Sequence, residues 1–120
     1  GFVFETLCLK HIYQIKKSLR IDAIYSTNSS WFNDNAQVDL LIDRDDNVLN
    51  LCEMKFYNAP YTIDKKYYLN LKNKVAELEK DTNTKKNIFI TMLTTYGINE
   101  NEYSKELVQN SLDMDALFID

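Results

Sequence analysis

Three charged residues sit inside otherwise apolar runs: Asp39 in Val38-Asp39-Leu40-Leu41-Ile42, and Glu53 and Lys55 in the run from Val48 to Phe56. Burying unpartnered charges costs several kcal/mol, so the three are expected to be arranged around one another, a metal or a substrate. Strand alternation places Leu49, Leu51, Glu53 and Lys55 on one face and Asn50, Cys52, Met54 and Phe56 on the other. A carboxylate and then, fourteen positions on along a hairpin, Glu-x-Lys is a spacing that lets hard oxygen ligands converge. Such a pair favours Mg²⁺ or Mn²⁺, ions that take oxygen ligands, keep waters and organise phosphate chemistry. A lysine beside them supplies a cation and a proton donor without competing for the ion. The same spacing also fits a plain Glu53–Lys55 or Asp39–Lys55 ion pair at a sheet edge.

The elements that must position these residues are legible in outline. Residues 1–20 read as one amphipathic helix, with Phe4, Leu7, Cys8, Ile12, Ile15 and Leu19 on one arc. Glu5 lies on the flank of that arc, where it either borders the buried face or serves as a first-turn acid. His11 falls near the other edge, as a partly buried structural histidine. The segment from Ile21 to Phe32 predicts a strand running into a loop, with Asn28, Asn33, Asp34 and Asn35 marking the loop and Trp31 as either its anchor or a base-stacking contact.

Val38–Ile42 and Val48–Phe56, separated by the polar run Asp43 to Asn47, predict a hairpin. Thr62 is placed to cap a helix through about Lys80, with Ile63, Tyr67, Leu71, Val75 and Leu78 on its core face. Lys66, Asn70 and Lys74 form a polar ridge on its border, either a set of phosphate contacts or a solvated edge. Residues 87–94 (NIFITMLT) read as a strand covered on both sides. The acidic remainder predicts a short strand at 108–112 and a helical turn at 114–118. The order is helix, three strands, helix, strand and tail, which is α/β with a mixed sheet.

Asp39 followed by Glu53-Met54-Lys55 on a hairpin, after a helix bearing Glu5, resembles the PD-(D/E)XK nuclease superfamily. The stretches GFVFETLCLKHIYQIKKSL, QVDLLIDRDDNVLNLCEMKF, TKKNIFITMLTTYG and LDMDALF are similar to the C-terminal domain of a group of prokaryotic AAA-type ATPases. The resemblance implies a restriction-endonuclease-like fold with an αβββαβ core, and metal-dependent hydrolysis of DNA. By the same resemblance Asp39, Glu53 and Glu5 are metal ligands, Glu5 directly or through water. Lys55 positions the attacking water or stabilises transition-state charge, and Met54 offers only its backbone carbonyl. It further implies a P-loop ATPase domain on the same chain. Val38 replaces the motif's proline. The second helix lacks the Gln-x-x-x-Tyr signature of the exonuclease branch, so end preference is not read from it.

Composition narrows the alternatives. One histidine excludes zinc sites that need two imidazoles, and two cysteines outside any CxxC pair make no disulfide framework. With two glycines the Walker-type phosphate loop is absent. No apolar run approaches the roughly 18 residues of a membrane span, so a single cytoplasmic domain over 1–120 is expected. The net charge of −4 is unevenly spread: residues 1–20 and 64–86 each carry +3, and residues 22–58 and 99–120 each carry −5. Two functions compete: the metal-dependent nuclease, and a nuclease-fold module that binds nucleic acid or regulates the ATPase without cutting. In the first, Asp39 and Glu53 repel one another without their ion, so neutralising either should leave the fold intact or stabler. Removing Lys55 should destabilise it.

Overall fold

The computed structural model describes residues 2–119. Its centre is the expected hairpin, β2 (Gln37–Arg44) and β3 (Val48–Lys55), in which Leu41 faces Leu51 and Ile42 faces Asn50. Asn47 closes the turn in the left-handed region at φ 68°, a conformation asparagine tolerates. Arg44 reaches across the turn to Asp46, and that hydrogen bond holds the Asp46 carboxyl below its usual range.

β1 (Ser26–Phe32) adds antiparallel to β2, while β4 (Asn87–Thr94) and β5 (Val108–Leu112) add in parallel on the other side of β3. The result is a five-stranded mixed sheet in the order β1-β2-β3-β4-β5. A parallel neighbour demands a crossover, and α3 (Lys65–Thr82) supplies it between β3 and β4. The short α4 (Glu102–Leu107) does so between β4 and β5. The domain is therefore mixed α/β, with helices on both faces of the sheet.

Alternation sorts the core into two layers. On one face Leu40, Ile42, Cys52 and Met54 pack with Phe4, Cys8 and Ile15 of the N-terminal helices and with Leu117. On the other, Leu41, Leu49 and Leu51 meet Leu78 of α3, and Ile90 and Met92 meet Leu71 and Ile63. Cys8 and Cys52 are buried free thiols, and burial pushes Cys8 up to about 11 and Cys52 higher still.

Three boundaries differ from the sequence expectation. The N-terminal helix is two, α1 (Phe2–Leu9) and α2 (Ile12–Ser18). At the break, the His11 ring Nδ1 lies 2.8 Å from the Leu7 carbonyl oxygen, which the His11 backbone N–H would take in a continuous helix. That N–H donates to Cys8 instead. The cap of α3 is Asp64, whose side chain accepts from the Tyr67 N–H, and not Thr62, which accepts from Asn99. Trp31 and Asn28 belong to strand β1 rather than a loop; Trp31 is nonetheless an anchor, donating its indole N–H to Asp81 of α3 at 2.9 Å. The short strand and helical turn of the tail lie where expected, at Val108–Leu112 and Met114–Phe118. Among the described residues no helix is long and apolar enough to cross a membrane.

Candidate functional site

Glu53 points from β3 toward α3 and is only 6% exposed. Its carboxylate accepts from the Tyr67 hydroxyl at 2.6 Å and from the Lys74 ammonium at 2.9 and 3.1 Å. Tyr67 and Lys74 stand seven residues apart, two helical turns on one face of α3, so a single strand carboxylate reaches both. The helix is fixed over this part of the sheet by Leu71, which is fully buried between them.

Around Glu53 opens a cleft of about 360 Å³, lined also by Lys55, Tyr61, Asp64, Lys66, Tyr67, Asn70 and Lys74. The Lys55 ammonium lies 4.6 Å from the centre of the Tyr67 ring and 5.9 Å from that of Tyr61, a cation–π arrangement. Three lysines thus face two carboxylates, and Asp64 is engaged in capping α3. Such a surface has an excess of cationic donors for an anionic group.

The ion pair differs from both pairings expected of the sequence. Glu53 pairs with Lys74, while Lys55 packs on aromatic rings. Of the ridge, Lys66 and Asn70 are exposed as a solvated edge would be, Lys74 is half-buried on Glu53, and all three line the cleft.

The apolar arc places Tyr67 on the core face of its helix but says nothing of its hydroxyl. Burial first, and then the charge and hydrogen bond of Glu53, raise its phenol far above the usual range. Tyr61 is raised by burial, with Asp64 adding to it. A tyrosine one turn from a Lys-Asn-Lys ridge was the available signal for this part of the site.

The raised Tyr67 phenol has a measurable consequence. Above about pH 10 an unfolded tyrosine loses a proton that folded Tyr67 keeps, so the folded state is progressively disfavoured as pH rises. Urea midpoints between about pH 9 and pH 11 should fall more steeply for wild type than for Tyr67→Phe. Parallel curves would refute the buried hydrogen bond.

Asp39 stands elsewhere in the arrangement. The β2–β3 ladder ends at Leu40–Cys52, so Asp39 and Glu53 occupy the first positions beyond it. On the other side of β2, Ser29 pairs with Leu41 but Trp31 with Val38, leaving Ser30 opposite both Asp39 and Leu40. This is a β-bulge, and it breaks the alternation: Val38 joins Leu41 on the α3 face. The half-buried Asp39 carboxylate accepts from the Gln37 side chain at 2.9 Å and does not line the cleft. The expected cluster of Asp39, Glu53 and Lys55 is therefore not brought together: Glu53 and Lys55 share the cleft and Asp39 lies outside it.

Glu5 is separated for a different reason. Its helix packs through Phe4 and Cys8 on the Cys52–Met54 face, whereas Glu53 faces α3. Among the described residues no three His, Cys, Asp or Glu side chains gather as a metal cluster, so Glu5 does not complete a three-carboxylate set.

The fold has a solved counterpart. The chain is similar to the crystal structure of AF1548, a protein of unknown function, with a TM-score of 0.57 and 17% identity. The match covers 92% of this chain and 64% of that one. At that identity the likeness speaks for the fold alone. No protein family model matches the chain, and no curated protein sequence does.

The donors are of the type a hard divalent cation takes, although Asp39 lies outside the cleft that holds Glu53. Asp39 and Glu53 offer oxygen only, at adjoining positions beyond the ladder, and Mg²⁺ commonly takes one or two carboxylates plus waters. The His11 ring is committed to the Leu7 carbonyl, and both thiols are buried in the core. Among the described residues a softer ion has no ligand set.

Proposed function

We propose that this domain is a PD-(D/E)XK-type nuclease that hydrolyses DNA phosphodiesters with Mg²⁺ or Mn²⁺, in the cytoplasm and alongside a P-loop ATPase domain of the same chain. The observation that carries this reading is the buried Glu53 at the floor of a lysine-lined cleft, with Asp39 in the first position of β2 beyond the end of the β2–β3 ladder. Asp39 and Glu53 would hold the ion, which when bound would polarise a phosphoryl oxygen and lower the pKa of water. Lys66 and Lys74 give the cleft cationic ends for flanking phosphates. Lys55, held over Tyr67, offers a fixed positive charge at the reacting centre. Lys74 balances Glu53 until a cation competes for it.

A second reading has its own support. The Glu53–Lys74 pair and the separate position of Glu5 suit a nuclease-fold module that binds nucleic acid or regulates the ATPase without cutting. The two part in a plasmid-nicking assay in Mn²⁺ run beside a calorimetric titration of the ion. Wild type should nick supercoiled DNA and bind Mn²⁺, and Asp39→Asn should lose at least about 100-fold of the rate, as when a preorganised electrostatic contact is removed. A wild type that binds plasmid but cuts nothing gives the binding module.

A further inference from the structure

The cleft continues into an aromatic edge that the lysines and carboxylates do not account for. Tyr57, Tyr61 and Tyr67 form a chain of edge-to-face contacts, with centroids 5.7 Å apart at each step and ring planes 86° and 84° apart. Tyr67 is its inner end, on Glu53, and Tyr61 lines the cleft. Tyr57 is its outer end and is 48% exposed.

This edge is held from behind. The Tyr57 N–H donates to Thr95 Oγ1 at 3.1 Å. The Tyr61 backbone exchanges hydrogen bonds with Gly97 and Asn99, each at 2.9 Å. Asn99 and Asn101 side chains also bind Pro60, Thr62 and Ile63 of the same loop. The connection between β3 and α3 is thus pinned along its length, and its rings need little ordering to receive a planar ligand. Lys55 places its charge over Tyr61 and Tyr67, beside the same rings.

Phosphate-seeking lysines next to a fixed, part-exposed aromatic edge match two parts of one ligand: a phosphodiester and an unpaired base. Bases inside a duplex are stacked on their neighbours and present no free face. We propose that the cleft takes single-stranded nucleic acid, or a frayed end, with a base stacked on the Tyr57–Tyr61 edge and the adjoining phosphate on Lys55 and Lys66. The inference rests on the nuclease reading and names its substrate class.

The test is fluorescence anisotropy of the whole chain in EDTA, with a labelled oligothymidylate and a blunt duplex of equal length. Wild type should bind the single strand more tightly. Tyr57→Ala should weaken single-strand binding by about five-fold or more while leaving duplex binding unchanged. Tyr57→Phe keeps the ring and should restore it. Lys66→Ala should weaken both and flatten the salt dependence. Equal affinity for the two ligands, or no effect of Tyr57→Ala, overturns the single-strand inference and leaves the nuclease reading standing. If neither nucleic acid binds, the single-strand inference falls, and the nicking assay in Mn²⁺ decides the nuclease reading.

Discussion

Glu53→Gln should lower the melting temperature and abolish metal-dependent cleavage together. The neutral amide leaves the Lys74 ammonium without its carboxylate in a pocket where that side chain is 18% exposed. Removing one partner of a fully buried pair costs about 3–5 kcal/mol. Here Lys74 can lean toward solvent, so about 1–3 kcal/mol is expected, or several degrees of melting temperature for a domain of this size. The double variant Glu53→Gln with Lys74→Met should regain most of the lost stability and none of the activity. Differential scanning calorimetry of the four proteins in this cycle gives the coupling directly.

This reverses what the motif suggested. With Asp39 and Glu53 imagined as repelling neighbours, neutralisation would have stabilised the fold. The Glu53–Lys74 pair and the Asp39–Gln37 hydrogen bond give each acid its own partner. A Glu53→Gln protein that melts at or above wild type would restore the repulsion account.

The second large effect is expected at Asn50, outside the Glu53 cleft. It is fully buried in the middle of β3. Its amide donates to Thr91 Oγ1 at 2.9 Å and more weakly to Asn110 at 3.4 Å, and it accepts from Arg44 at 3.1 Å. One side chain thereby ties three strands and the hairpin turn together. Asn50→Leu keeps the volume but takes away the amide that Thr91, Asn110 and part of the Arg44 guanidinium bind, leaving Thr91 and Asn110 only their longer mutual contact at 3.3 Å. A loss of about 2–4 kcal/mol is expected from the desolvation of those groups. Urea unfolding should show a lower midpoint at unchanged slope. A change under about 0.5 kcal/mol, the range of ordinary surface substitutions, would mean the network is dispensable.

The parts of this molecule that were legible in its sequence are those set by local period. The β2–β3 hairpin followed from alternation around a polar turn, and α3 from apolar residues recurring every third or fourth position. What escaped depends on partners distant in sequence or on competition at one peptide group. The break at His11 arises because a ring nitrogen takes a carbonyl that the backbone would otherwise use. The bulge at Asp39 and Leu40 exists only relative to β1, so the pattern of β2 by itself could not show it. Alternation placed Glu53 and Lys55 correctly on one face. It could not tell that Lys74, twenty-one residues on, would reach Glu53 before Lys55 did. Alternation gives Asn50 a face but no role, because its partners Thr91 and Asn110 lie on strands much later in the chain.

The position of Glu53 between a hairpin and a crossover also orders events in time. The β2–β3 hairpin closes a loop of a few residues, but β3–β4 pairing must wait for a whole helix to be laid across the sheet. Closing the longer loop carries the larger entropic cost, so hairpin contacts should lead in the folding transition state and helix docking should follow. Lys74 and Tyr67 meet Glu53 only at that second stage. Substitutions at either should therefore speed unfolding while barely slowing folding, whereas changes in the Leu41–Leu51 pair should act mainly on the folding rate. The cleft would then be the last part of the domain to form and the first to open, and its occupant would act as a brake on unfolding.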